Sequence, residues 1–208
     1  MKNILMLALG FFVFVVCMTV FVTISDGAYI SGQGNLGAFT GDFSYDIMDM
    51  DEAVITINLE NTSGEFGYLT GLAFLFPSED LVVSSFESSE KKFGQLSNPI
   101  NAQPFGKNFG LGSSTFKSWE GGGKPSYGIA TGSSGQFVFN IMGENVGSYN
   151  VQDFINTGDF VVRFRGYAGG GSDKVAGGTS AQVPEPITLV LLGTGLLYFG
   201  YKNRKESS

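Results

Sequence analysis

The chain has 208 residues, a net charge of −7, no histidine and one cysteine, so it is sized for a single domain with processing segments attached. Without histidine there is no Ser-His-Asp arrangement and no usual zinc ligand, and a lone Cys17 allows no internal disulfide. The acidic surplus repels phosphates, which excludes nucleic acid as a partner.

At the N-terminus, Lys2 precedes an apolar stretch from Ile4 to Ile24, the pattern of an export signal or an N-terminal anchor. Thr23 and Ser25 are one candidate small pair before a cut; a cut after Ala28 would put Asp26 three residues back. Residues 1–28 are therefore read as signal peptide or anchor. Cys17 lies within the apolar stretch behind the bulky Val16, which does not suit lipoprotein processing.

Residues 29–182 read as an exported domain of short strands. One lies around Ala38 to Tyr45 and runs into DIMDMDE, where Asp46, Asp49, Asp51 and Glu52 cluster just before the next strand. Calcium takes several carboxylate and carbonyl oxygens on a loop, so Asp46, Asp49 and Asp51 are candidate ligands, with Asp173 a distant contributor. The spacing misses the EF-hand pattern, and a solvated charged loop is the default reading. AVITINL places Ile55, Ile57 and Leu59 on one face, the period-2 signature of a half-buried strand. Asn61-Thr62-Ser63 then matches a glycosylation acceptor, a weak signal by itself. YLTGLAFLF is apolar on both faces and reads as central; a turn from Pro77 to Asp80 leads into DLVVSSF.

Residues 91–135 look least regular, and predict long loops with one or two poor strands. Their aromatics include Phe93, Phe105, Phe109, Phe116, Trp119 and Tyr127. Trp119 with Tyr127 is the candidate pair for stacking on a sugar ring; the bland reading is that these rings plug an open sheet edge. QFVFNIM then directs Phe137, Phe139 and Ile141 to one side. SYNVQDFIN is the single helical candidate, with a cap at Ser148 or Asn150 and an apolar face of Val151, Phe154 and Ile155. DFVVRFRGY directs Phe160, Val162 and Phe164 inward and leaves Arg163 and Arg165 on a solvated face. The triple glycines at 121–123 and 169–171 lack the surroundings of a phosphate loop and read as turns.

Residues 183–208 form a three-part tail. Val183, Pro184, Glu185 and Pro186 hold the chain extended. An apolar block follows from Ile187 through Leu191 and Leu196 to Tyr201, and then the basic Lys202, Arg204 and Lys205. Fifteen residues rise only about 22 Å as a helix against a hydrocarbon core near 30 Å, a short span suited to a temporary anchor. The basic tip would stay on the cytoplasmic side, so the domain before it faces outward.

Motif, apolar helix and basic cluster, in that order at the end of a chain with an export signal, resemble the PEP-CTERM sorting signal of bacterial exported proteins. FVVRFRGYAGGGSDKVAG is similar to the closing strand and glycine-rich loop of such proteins. The resemblance implies recognition by an exosortase, an integral-membrane enzyme that cuts near the motif, and a host that builds exopolysaccharide or biofilm matrix.

Together these features predict an all-β, antiparallel β-sandwich or jelly-roll-like domain, flanked by an N-terminal signal helix and a C-terminal transmembrane sorting helix. The expected protein is a non-enzymatic component of the cell surface or extracellular matrix, anchored transiently in the inner membrane. The alternative is a carbohydrate-binding module that anchors exopolysaccharide.

Overall fold

A computed structural model describes residues 26–106, 108–120, 123–156 and 158–180. Its strands are β1 (Asp26–Gln33), β2 (Ala38–Asp49), β3 (Glu52–Asn61), β4 (Tyr68–Phe74), β5 (Val82–Ser88), β6 (Phe93–Ile100), β7 (Phe109–Thr115), β8 (Ile129–Ala130), β9 (Ser134–Met142), β10 (Phe160–Arg165) and β11 (Ser172–Ser180). A single turn of helix, α1 (Val151–Phe154), precedes β10. Among the described residues no helix is long and apolar enough to cross a membrane. The signal helix and sorting helix expected at the two ends fall mainly on residues 1–25 and 181–208, outside the described part.

Every strand pairing is antiparallel, in the order β5-β9-β3-β2-β1-β11-β10-β4-β7-β6, with β8 beside β4. The two packed layers of the sandwich expectation are thus halves of one continuous sheet that curls toward a flattened barrel. The corner is β11: its first part pairs with β10 and its last part, Gly178 to Ser180, with β1. A strand that serves both halves in this way is how orthogonal or closed β architectures turn a corner.

Alternation explains the filling. Ile55, Ile57 and Leu59 on β3 and Phe137, Phe139 and Ile141 on β9 are buried, as are Phe160, Val162 and Phe164 on β10. Phe43 meets Phe74 across the layers at 5.4 Å and near a right angle; Phe74 meets Phe139 at 5.5 Å in the same manner. Such edge-to-face pairs add to the burial of each ring, which alone contributes about 1.5 to 3 kcal/mol. Gly41 on β2 permits close approach, since a Cβ there would collide with the Asn58 carbonyl oxygen. On β4 strict alternation fails for a local reason. Arg163 pairs with Gly71 but Phe164 with Leu69, so Thr70 is an extra residue in a bulge, and Leu69 and Leu72 both reach the core.

Two expectations need correction. Residues 91–135 contain a real hairpin, β6 with β7, in place of long loops with poor strands. The small residues of β7 conceal it, because Ser113, Ser114 and Thr115 are buried through hydrogen bonds such as Ser113 Oγ to Gly94 O at 3.1 Å. Arg163 does point outward from β10, but it is only 8% exposed, because the segment after β7 folds over that face and Trp119 covers it. The helical expectation holds: Asn150 caps α1, its Oδ1 accepting from Gln152 N–H at 2.9 Å while Asp153 accepts from Asn150 N–H at 2.8 Å.

Candidate functional site

The tail motif is fastened to the end of β11, and the register fixes where that end lies. β1 has β2 on one side and β11 on the other; Asp26 stands opposite Tyr45, and Tyr29 stands opposite Ser180. Because both pairings are antiparallel, β11 runs toward the end of the sheet at which β1 begins. The turn between β2 and β3 lies at that same end, just beyond Tyr45. One pole of the domain therefore carries the last described residue before the tail, the first after the N-terminal apolar stretch, and the acidic turn.

This pole is well braced. The Asp26 carboxylate accepts a hydrogen bond from Val151 N–H at 2.9 Å, joining the first residue of β1 to the first of α1. Tyr45, buried on β2, donates from its hydroxyl to Val146 O at 2.8 Å. Burial, helped by the nearby Tyr149 and Asp153, pushes that hydroxyl up from 10.0 to about 12. Strand β1 includes Asp26 to Ala28, and Ala28 is buried. A signal cut after Ser25 leaves this strand whole, whereas one after Ala28 would remove the Asp26 contact.

The candidate metal residues lie along the end of β2 (Asp46 and Asp49) and in the turn to β3 (Asp51), but do not converge. Asp46 accepts from Ser44 Oγ at 3.1 Å and Asp49 from Met50 N–H at 2.7 Å. Among the described residues no group of three or more Asp, Glu, His or Cys is placed to hold a metal ion. Asp173 is remote from this turn: it accepts from Leu36 N–H at 2.8 Å and Gly37 N–H at 3.0 Å at the opposite pole.

Nor does the structure bring the aromatic candidates together as an open platform. Trp119 is 6% exposed and packs with Ala73, Leu96, Ile100, Ala102, Phe109 and Val161 as a cover on the outer face of β4 and β10. Beneath it, the Arg163 guanidinium donates to Trp119 O at 2.5 Å; Arg163 Nε and Trp119 Nε1 are buried without partners. Burial, with Arg165 nearby, lowers the Arg163 pKa. Tyr127 is half-buried, with Phe116 beside it at 5.6 Å and Lys92 over its ring at 5.5 Å. Trp119 and the β6–β7 hairpin thus close an outer face of the sheet, whereas the plugging reading places these rings at an open edge.

The glycosylation motif is inaccessible. Asn61 is fully buried, its amide donating to Gly67 O at 3.1 Å and Ile129 O at 2.9 Å while its carbonyl accepts from Ser63. Phe105, which the sequence groups with the other loop aromatics but does not single out, is 40% exposed and borders a shallow hollow of about 470 Å³ with Asn35, Asp173 and Lys174. Only the folded path of residues 101–106 across the outer face brings it there.

The sorting residues themselves, Val183 to Pro186, Ile187 to Tyr201 and Lys202 to Lys205, lie outside the described residues. No curated protein matches the chain. Residues 182–205 match the family model of the PEP-CTERM protein-sorting motif, so this chain carries, two residues beyond its last strand, the signal of an exported protein sorted by an exosortase.

Proposed function

We propose that the protein is a non-enzymatic component of the cell surface or extracellular matrix, associated with exopolysaccharide or biofilm, whose β domain is the exported cargo. The observation that carries this reading is the sorting motif attached directly to the closing strand of an all-β body. In this reading the PEP triplet is the handle that the exosortase grips. The block from Ile187 to Tyr201 holds that handle at the outer boundary of the inner membrane, and Lys202, Arg204 and Lys205 stop transfer. In an exosortase-positive host, intact-mass measurement of surface-released protein should find a chain lacking everything after the motif. Pro184→Ala with Glu185→Ala should leave the full-length chain in the inner membrane. Release of a chain still ending at Ser208 would make the segment a plain anchor.

A second reading, saccharide binding, is favoured by the hollow beside Phe105, where an exposed ring adjoins polar Asn35, Asp173 and Lys174. Affinity electrophoresis in the host polysaccharide should then retard the protein, and Phe105→Ala should abolish the retardation. Equal mobility with and without polysaccharide would leave the structural role.

A further inference from the structure

The pole from which the tail departs also gathers five of the nine large hydrophobic residues that stand exposed among the described residues: Ile47 at 50%, Met48 at 65%, Met50 at 84%, Val82 at 56% and Met142 at 41%. They adjoin one another through the sheet. Met142 is paired with Val82 on one side and with Glu52 on the other, and Met48 and Met142 border the same hollow of about 380 Å³. The end of β2 and the turn after it, which carry Met48 and Met50, have no core of their own to cover, so the ordinary use of methionine as a gap-filler does not account for them. Flexible, unbranched methionine suits an adaptable contact instead.

What covers this patch is indicated by the two segments attached at the same pole. The stretch Ile4 to Ile24 joins β1 two residues later, at Asp26 beside Tyr45, and β11 ends facing Tyr29 just before a tail whose apolar block runs from Ile187 to Tyr201. We propose that the β2–β3 turn, with Val82 and Met142, is a membrane-resting tip that lies in the lipid–water interface while the protein is anchored. The proposal rests on the reading of the tail as a membrane anchor. That anchor holds the tip at the surface at high effective concentration, so the patch needs only weak affinity of its own. The carboxylates of Asp46 and Asp49 at the end of β2, Asp51 in the turn and Glu52 at the start of β3 set its limits. They keep the turn shallow, and they make neutral headgroups a better surface than anionic ones.

The test uses the full chain, with Cys17→Ser, reconstituted in phosphatidylcholine vesicles. An environment-sensitive fluorophore is attached at Met50→Cys or, as a control at the opposite pole, at Phe66→Cys, a position 61% exposed. The label at position 50 should shift to the blue and be quenched by lipids spin-labelled near the headgroup. The label at position 66 should remain water-like. Met48→Asp should reverse the shift at position 50 while the protein still floats with the vesicles, and replacing part of the lipid with phosphatidylglycerol should reduce it. Flotation with a water-like signal at both positions overturns the tip but leaves the anchor standing. Loss of flotation overturns both. A blue shift at position 50 that grows with protein density and resists the lipid quencher would mean that a second copy covers the patch, which also overturns the proposal.

Discussion

The domain buries two apolar layers, and they are built on different rules. The inner layer, between the halves of the curled sheet, is filled by rings and branched chains that alternate along β3, β9 and β10. The outer layer, over β4 and β10, is a smaller cluster roofed by Trp119, with Arg163 and the hydroxyl residues of β7 buried beside it. Period-2 parity says to which side a side chain points. Whether that side is then covered depends on where a distant segment lands.

The largest expected effect tests the inner rule. Phe139→Ala and Phe164→Ala should each cost about 3 to 5 kcal/mol in urea unfolding, because each leaves a cavity among fixed neighbours. Asn140→Ala, next in the chain but with its amide at the surface on Ser85 Oγ, should cost under about 0.5 kcal/mol. Similar losses at positions 139 and 140 would show the register to be wrong.

The outer rule predicts a sharper contrast. Trp119→Ala should cost about 2 to 4 kcal/mol, the range for loss of a large buried side chain tempered by the thinner cover. Arg163→Met should fall within about 1 kcal/mol of the parent or stabilise it, since a buried charge with an unpartnered Nε gives back little of its desolvation. A loss at Arg163→Met as large as that at Trp119→Ala would mean that the guanidinium, and not the ring, holds the cover.

Smaller still is the effect at the braced pole. Tyr45→Phe should cost about 1 kcal/mol at neutral pH, the contribution of one buried hydrogen bond. The sign of its pH dependence is fixed by the raised pKa. Between pH 10 and 12 the unfolded chain has lost the Tyr45 proton that the folded chain retains, so stability is complete below pH 10 and declines up to about 12. Tyr167, also raised to about 12 by burial, adds to the same decline. Denaturant titrations at pH 9, 10 and 11 should show the slope, shallower in Tyr45→Phe.

The smallest effect concerns the acidic turn. Millimolar calcium should leave the melting temperature unchanged, because a ligand stabilises only by binding the folded form and these carboxylates do not converge. A rise abolished by Asp49→Asn with Asp51→Asn would establish a site there.

Much of the inner layer was legible in the sequence, since Ile55, Ile57, Phe137, Phe139, Phe160 and Phe164 obey a local pattern. The short helix and its cap were legible for the same reason, being local, though the sequence left the cap open between Ser148 and Asn150 and the structure assigns it to Asn150. The β6–β7 hairpin was not, because glycine and serine lack a face that periodicity can detect. The joining of the layers through β11, and the burial of Trp119 over Arg163, depend on contacts between residues far apart in the chain. Of the candidate site, the sorting motif was readable in full. That the strand leading to it ends at the pole of the exposed methionines was not, because that requires the register of β1 against both its neighbours.

The double pairing of β11 has a mechanical consequence. A pull on the tail is transmitted along the axis of a strand held by six residue pairs to β10 and three to β1. The ladder hydrogen bonds lie across that axis. The load therefore falls on many of them together, in shear, where a pull on a hairpin edge would open them one at a time. The strand that closes the fold is thereby also suited to act as its tow-line, able to bear tension applied through the tail without unzipping the sheet from its edge.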